Sequence, residues 1–340
     1  MNNDLVEEIY SVDFSSSLFL YGGNDQKCTV YDTVSKSILL VVEGLSDSVI
    51  FSKFIRDDLL VICLIDGTVL VTNIEGSISE STEINEEISC VKMINDLLVL
   101  GTCTGSIYKI SINYNTNINY NNTNRNTNVY RDENNNIITD KVFISFDIQV
   151  YMGHSSEILE IYSYNNKIYS LSDQSLLIHN IDTGFLDYKI NIKEGIVFSM
   201  IPNTEIFCIC TTTNILIYKS NTLINRFLIE GQPETVIYTE GYFIVGGYCD
   251  YLLIINTKMN MITYKYKIIS EGINKLISDK YTIYFSTTCG YVGMCDIRQD
   301  GTVQMYESRV ETIFDMTYDR ETFYVGGLKG MDILKIEEYK

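Results

Sequence analysis

Gly153–Gly184, GHSSEILEIYSYNNKIYSLSDQSLLIHNIDTG, is the stretch that decides the fold. It opens on Gly153-His154 and continues into a short alternating run from Ile158 to Ile161, then a polar turn at Tyr164-Asn165-Asn166. A second run, Lys167–Leu171, leads to the turn Ser172-Asp173-Gln174. A third, Leu176–Ile178, ends in His179-Asn180 and the turn Asp182-Thr183-Gly184. Short β-rich runs separated by tight polar turns predict an antiparallel meander, and Leu186–Ile192 supplies its fourth strand. One such sheet cannot bury both of its faces, so stacked copies are expected.

The rest of the chain keeps the same measure. The ends of the third strands align at Tyr31-Asp32, Thr72-Asn73, Ile110-Ser111, His179-Asn180, Tyr218-Lys219, Asn256-Thr257 and Asp296, with a worn eighth copy at Gly330–Ile336. Successive copies lie about forty residues apart, except for one step of about seventy. The long step contains 113–140, an asparagine-rich segment with too little apolar content to offset chain ordering. It is expected to be a disordered loop between strands three and four of the third copy. Surface loops tolerate such length at little cost. The whole chain, 1–340, is thus expected to form one all-β domain.

Composition agrees. Two prolines, 26 tyrosines and 14 phenylalanines, with abundant Ile and Val, favour strands over helices. The longest apolar run, Leu59–Ile65, is too short to span a membrane, and MNNDLVEEIY lacks the features of an export signal. Nine cysteines are scattered without metal-ligand spacing, and Cys208 and Cys210 would share one strand face as packing residues. That usage suits a reducing compartment, so a cytoplasmic and also nuclear location is expected. A net charge of −19 disfavours direct nucleic-acid binding and is compatible with a basic protein partner.

A forty-residue period of four strands, one Gly-His pair, and Tyr-Asp or Cys-Asp at strand-three ends resembles the WD-repeat β-propellers. The resemblance covers nearly the whole chain and implies eight blades of four antiparallel strands. A three-stranded last blade, or seven blades with one aberrant unit, is also compatible. In this family one terminus closes the ring by donating a strand to the other's blade, and Asn2–Val6 is the segment available here. The chain has no tryptophan; Tyr31, Thr72, His179, Tyr218 and Cys295 stand at the family's tryptophan positions. The family's His–Ser/Thr–Trp relay is therefore mostly not buildable, and packing is expected to replace it.

Catalytic chemistry is not legible. The two histidines, His154 and His179, have no Cys, Asp or Glu at ligand spacing. Three glycine pairs, Gly22-Gly23, Gly246-Gly247 and Gly326-Gly327, fall at the ends of second strands with no helix after them. They read as backbone requirements of the repeat rather than phosphate loops. No cofactor, metal, catalytic residue or small-molecule substrate is expected.

One repeated feature points outward. Two residues before the first aliphatic of strand one stand Glu7, Asp47, Glu86, Ser156, Glu194, Glu234, Glu271 and Glu311, and Ser156 is followed by Glu157. With 44 acids in 340 residues, chance would supply about one. Asp at such a place serves turn chemistry, but Glu is the poorer turn former. A ring of like charges repels itself unless a cation is present. The expectation is a partner-binding rim formed by Glu7, Asp47, Glu86, Glu157, Glu194, Glu234, Glu271 and Glu311, which captures a Lys/Arg-rich segment of another protein. Within the WD proteins, Gly22–Asp25, Leu100–Gly105, Val245–Asp250 and Cys295–Arg298 look like the angio-associated migratory cell protein group. Its fungal relative is a dedicated chaperone of a basic large-subunit ribosomal protein. That resemblance implies ribosomal-protein capture. The alternative is a generic scaffold subunit of a coat, a ubiquitin-ligase adaptor or a ribosome precursor.

Overall fold

The computed structural model describes residues 7–56, 58–77, 79–94, 96–116, 130–131, 137–138, 142–193, 197–203, 206–249, 251–268, 272–299 and 302–336. Antiparallel sheets follow one another along the chain as blades 1 to 8, at 9–42, 49–83, 88–151, 158–191, 197–228, 232–267, 273–307 and 313–335. Blades 1 to 7 have four strands in up-and-down order. Blade 8 has three among the described residues: Ile313–Asp319, Thr322–Gly327 and Gly330–Lys335. The expected eight-bladed propeller is the observed fold.

Each blade runs outward from the axis. Strand one of blade 1, Ile9–Ser15, packs against strand one of blade 2 (Val49–Arg56) and of blade 8, and the same contact recurs from blade 3 to blade 8. Second strands are the most buried, Leu59–Leu64 completely so, because both faces are covered by neighbouring blades. Fourth strands such as Thr222–Leu228 alternate between exposed and half-buried residues, as an outer strand with one wet face must.

The core lies between blades rather than within them, and each of its clusters spans one seam. Leu20 and Val30 of blade 1 meet Leu60 and Ile62 of blade 2, while Ile244 and Ile254 of blade 6 meet Ile283 and Phe285 of blade 7. The last seam joins Ile9, Val12 and Phe19 to Tyr324, which also stacks on Phe14 at a centroid distance of 4.2 Å. Closure is thus made by blade 8 packing on blade 1. Main-chain contacts support it: Lys329 N–H donates to the Glu7 carbonyl at 2.8 Å, and Glu8 forms an antiparallel bridge with Leu328. Asn2–Val6, the expected closing strand, lies outside the described residues.

The glycine pairs owe their place to these seams. A Cβ on Gly22 would stand 2.7 Å from Val49 Cγ1 of the next blade, and one on Gly246 would stand 2.8 Å from Ile273 Cγ2. Gly326 meets Ile9 in the same way across the closing seam. Close packing of the repeat is therefore the requirement.

Strand one carries a bulge in every blade, after Ile9, Val49, Ile88, Ile158, Val197, Pro233, Ile273 and Ile313. Residues beside the bulge stitch the ring together. The bulged Ser89 donates its hydroxyl to the Ile158 carbonyl of the next blade (2.6 Å), and the bulged Asn274 donates its amide to the Ile313 carbonyl (2.7 Å). The residue after the bulge accepts from the next blade. Ser52 N–H donates to Ser11 Oγ (2.8 Å), Met200 N–H to Glu160 Oε2 (2.8 Å) and Val12 N–H to Asp315 Oδ2 (3.0 Å). Innermost strands have one unpaired edge each, and these side chains satisfy it.

Blade 4 shows what remains of the family relay. His154 lies within hydrogen-bond distance of Ser175 Oγ through Nδ1 (2.8 Å) and of Ser170 Oγ through Nε2 (2.9 Å). His179 fills the tryptophan place beside Tyr151, with centroids 5.7 Å apart, and neither of its ring nitrogens reaches a partner at hydrogen-bond geometry. The relay is half built here, and packing takes over the rest.

Most of 113–140 lies outside the described residues. Residues 113–116 continue the third strand Ile107–Thr116, paired in register with Val142–Tyr151, and Tyr130–Arg131 pairs with Ile137–Ile138. The strand runs on because alternation continues past Ile112 to Tyr114, whose ring lies 3.7 Å from the Arg56 guanidinium and whose hydroxyl donates to Asp96 at 3.0 Å.

Candidate protein-binding face

The loops leading into strand one share an end of the ring with the turns between strands two and three, and the two sets clasp each other. Glu8 N–H donates to Asn24 Oδ1 (2.9 Å), Ser156 Oγ donates to Asp173 Oδ1 (2.7 Å), and Ser46 donates to Asp66. Asx side chains at such turns hold local backbone: Asp66 Oδ1 also accepts from Thr68 N–H at 2.9 Å. These clasps bring Glu7, Asp47, Glu86, Glu157 and Glu311 to one face and add Glu87, Asp25, Asp66 and Asp173.

The acids of this face do different things. Glu86 is consumed by its own blade, accepting from Tyr108 Oη (2.6 Å), Thr102 Oγ1 (2.9 Å), Ser106 Oγ (3.1 Å) and Thr104. Burial opposes its ionisation, but the hydroxyls of Thr104, Tyr108, Thr102 and Ser106 outweigh that and hold its carboxyl below the usual range. It is turn chemistry. Glu311 pairs with Lys329, and Glu43 pairs with Lys27 at 2.9 Å. Asp47 caps its neighbour Ser48 N–H at 2.7 Å.

Glu7, Asp47, Glu87 and Glu157 have no ion pair among the described residues, and all but the half-buried Asp47 are exposed. Their field is felt locally. Burial, then the carboxylates of Glu157 and Glu87, push the exposed Cys103 thiol up, and burial together with Glu7 and Asp25 raises Tyr21.

One predicted position falls out of register. Glu234 is itself the bulged residue of the strand Gln232–Thr239, because Pro233 rather than an aliphatic precedes the bulge. It is half-buried and accepts from Gln232 Nε2 at 2.6 Å, and burial raises its carboxyl. Glu194 and Glu271 lie outside the described residues. Sequence reasoning missed Asp25, Asp66 and Asp173 because each stands in a turn signal, where its side chain was already accounted for; their recurrence between strands two and three was the available sign.

A family model for the WD40-like domain matches residues 7–149 and 140–334. The chain belongs to that family. A sequence search against curated proteins returns no match. Among solved structures, Saccharomyces cerevisiae Sqt1 is similar at 14% identity and a TM-score of 0.75, covering 98% of this chain and 97% of that one. Chaetomium thermophilum Sqt1, bound to the N-terminus of the ribosomal protein L10, is similar at 14% identity and a TM-score of 0.77, covering 97% of each chain. The computationally designed Ika8 protein is equally similar, at 15% identity and a TM-score of 0.77, covering 97% of this chain and 96% of its own. Likeness to natural proteins and to a designed one at the same level is likeness of fold. As a WD40-like propeller the chain is an interaction scaffold, a fold typically without catalysis of its own.

Proposed function

We propose that this WD40-like propeller is a non-enzymatic protein-binding module that captures a Lys/Arg-rich segment of a partner on its acidic face, as a chaperone of a basic ribosomal protein in large-subunit assembly. One observation carries the reading: the unpaired carboxylates of Glu7, Asp47, Glu87 and Glu157 share a face with the strand-two turns. Internal cations occupy Glu311 and Glu43 on that face, so carboxylates can be held there by ammonium groups. Complementary charge of this kind sets association rate and specificity. The Sqt1 structure holding the N-terminus of L10 supports a protein segment as the ligand class. A location in the cytoplasm and nucleus, and no direct nucleic-acid ligand, belong to the same proposal; the charge of −19 supports the latter.

A scaffold role is favoured by a different surface. Phe185, Leu228 and Met259 are 74%, 79% and 66% exposed at the outer edges of blades 4, 5 and 6. Affinity capture followed by mass spectrometry separates the two. One basic ribosomal protein, lost at high salt, supports the chaperone; a salt-stable set of neutral subunits supports the scaffold. In the first case the triple variant Asp47→Asn, Glu87→Gln, Glu157→Gln should weaken capture by about tenfold and flatten its salt dependence. Unchanged affinity in that variant would remove the acidic face from the account.

A further inference from the structure

The outer walls of the blades do not carry charge alike. The fourth strands of blades 2, 3 and 7, Ser79–Glu83, Val142–Tyr151 and Gln304–Glu307, hold Glu80, Glu83, Asp147 and Glu307 and no cation. Ser37–Val42 of blade 1 holds no charge at all. Leu186–Asn191, Thr222–Leu228 and Met261–Lys267 of blades 4, 5 and 6 hold Lys189, Arg226, Lys265 and Lys267, all exposed, against the single acid Asp187. Asp187 is paired with Lys167 at 3.2 Å, and Asp182 in the turn before that strand accepts from the Asn166 amide. Glu240 is exposed in a turn between strands one and two, nearer the axis. In a chain of net charge −19, every cation of the fourth strands thus stands on three neighbouring blades.

Apolar side chains are exposed on the same three walls. Tyr188, Ile224, Met261 and Tyr264 stand on the outer strands, and Phe185 and Met259 in the turns that lead into them. In blade 5 the two kinds interleave, since Ile224, Arg226 and Leu228 share the exposed side of one strand. The walls are also joined. Asn225 of the blade 5 outer strand donates its amide to the Asn260 carbonyl of blade 6 at 2.9 Å. Between blades 4 and 5 opens a cleft of about 180 Å³, lined by Tyr169, Tyr188 and Phe207 together with Lys167 and Asn221. Tyr169 and Phe207 are buried, and Phe207 is fixed by stacking on Tyr218 with centroids 5.2 Å apart. Lys167 Nζ lies 5.5 Å from the centroid of the exposed Tyr188 ring. Such a volume is close to the ~150 Å³ that holds a benzene ring in a protein core.

Lysines on edge strands also guard against pairing with other sheets. Guarding does not account for this wall, because the outer strands of blades 1, 2, 3 and 7 are edges too and do without it. Nor does guarding call for a row of exposed apolar groups, which mark contact surfaces. A bilayer would need those groups to project together, whereas the aromatic cleft is recessed between two blades. Cations around a recessed aromatic site fit an acidic chain that carries an aromatic side chain.

We propose that the outer wall of blades 4 to 6 is a second protein-docking surface, and that its partner is an acidic segment with one aromatic residue. The ring of that residue enters the cleft between Tyr188 and Phe207, while flanking carboxylates meet Lys189, Arg226 and Lys265. This wall is separate from the acidic face, so its ligand is independent of what that face holds.

The test is selection from a random peptide library displayed on phage against the full chain, with counter-selection on the variant Lys189→Glu, Arg226→Glu, Lys265→Glu. The enriched peptides should be acidic and contain an aromatic residue. By fluorescence anisotropy, a labelled synthetic peptide of that sequence should bind the wild type saturably and more weakly as salt rises. Its affinity should fall at least about tenfold in the charge-reversed variant and in Tyr188→Ala, and by less in Lys189→Gln, Arg226→Gln, Lys265→Gln. All these side chains are exposed, so the variants should melt as the wild type does. The variant Asp47→Asn, Glu87→Gln, Glu157→Gln should bind the peptide like the wild type, which separates this wall from the acidic face. Enrichment of basic or neutral peptides overturns the proposal, as does equal affinity in the charge-reversed variant. Flotation of the chain with phosphatidylserine vesicles, lost in that variant, would replace the acidic segment by a membrane. Concentration-dependent dimers in sedimentation, lost in the same variant, would replace it by a second copy.

Discussion

Lowering the pH from 7 to 5 should destabilise this propeller through His154. The free imidazole titrates near 6.5. Burial, only partly offset by the Ser170 backbone, pushes His154 down to about 4. The folded chain thus rejects a proton that the unfolded chain accepts. Stability from this group is full above about pH 6.5 and declines as pH falls toward about 4. Linkage over that interval gives a loss of at most about 2 kcal/mol between pH 7 and pH 5, and partial solvent access reduces it to about 1 kcal/mol. His179 acts in the same direction, since burial lowers it too. Carboxylates raised by burial, Asp13, Glu160 and Glu234, act oppositely: the folded state takes their protons first. The diagnostic quantity is therefore a difference. Urea unfolding at pH 7 and pH 5 should show a larger loss for the wild type than for His154→Gln, whose amide can still reach Ser170 and Ser175. Equal losses in the two proteins would refute the assignment of the slope to His154.

Asp315→Ala should cost about 2–3 kcal/mol, because it orphans both Val12 N–H and the Lys275 ammonium; urea midpoints against Asp319→Ala check it. Gly22→Ala should cost about 1–3 kcal/mol by forcing a methyl against Val49 across the seam between blades 1 and 2, and a melting point equal to wild type would show that the seam gives way. His179→Phe should raise stability by about 1 kcal/mol, since a ring of similar breadth replaces two buried nitrogens without hydrogen-bond partners among the described residues; a lower melting point would show that those nitrogens are satisfied.

Much of the architecture was legible in Gly153–Gly184 because strand period and turn chemistry are local. Its runs and turns are the observed strands Ile158–Tyr164, Lys167–Ser172, Ser175–Asn180 and Leu186–Asn191. The glycine pairs were legible as repeat features for the same reason, although what they touch was not. Gly22 needs its missing side chain because Val49 of another blade stands there, a fact of the seam alone. Counting back from the first aliphatic failed at Glu234. There the anchor before the bulge is Pro233, and a bulge shifts register without leaving a mark in composition.

The sequence by itself determined an eight-unit β repeat and a surplus of negative charge, since periodicity and net charge are properties of the chain whatever its path. Only the tertiary structure decided which charges are available. Glu86 is spent on four hydroxyls of its own blade, Glu311 on Lys329, and Glu157 on nothing among the described residues, although all three read alike in sequence. Glu160 and Asp315 lie on different strands and look like ordinary strand residues; the ring sets each against main chain of the next blade. Availability and convergence depend on what the neighbouring blade places opposite each side chain, and that is set by closure of the ring.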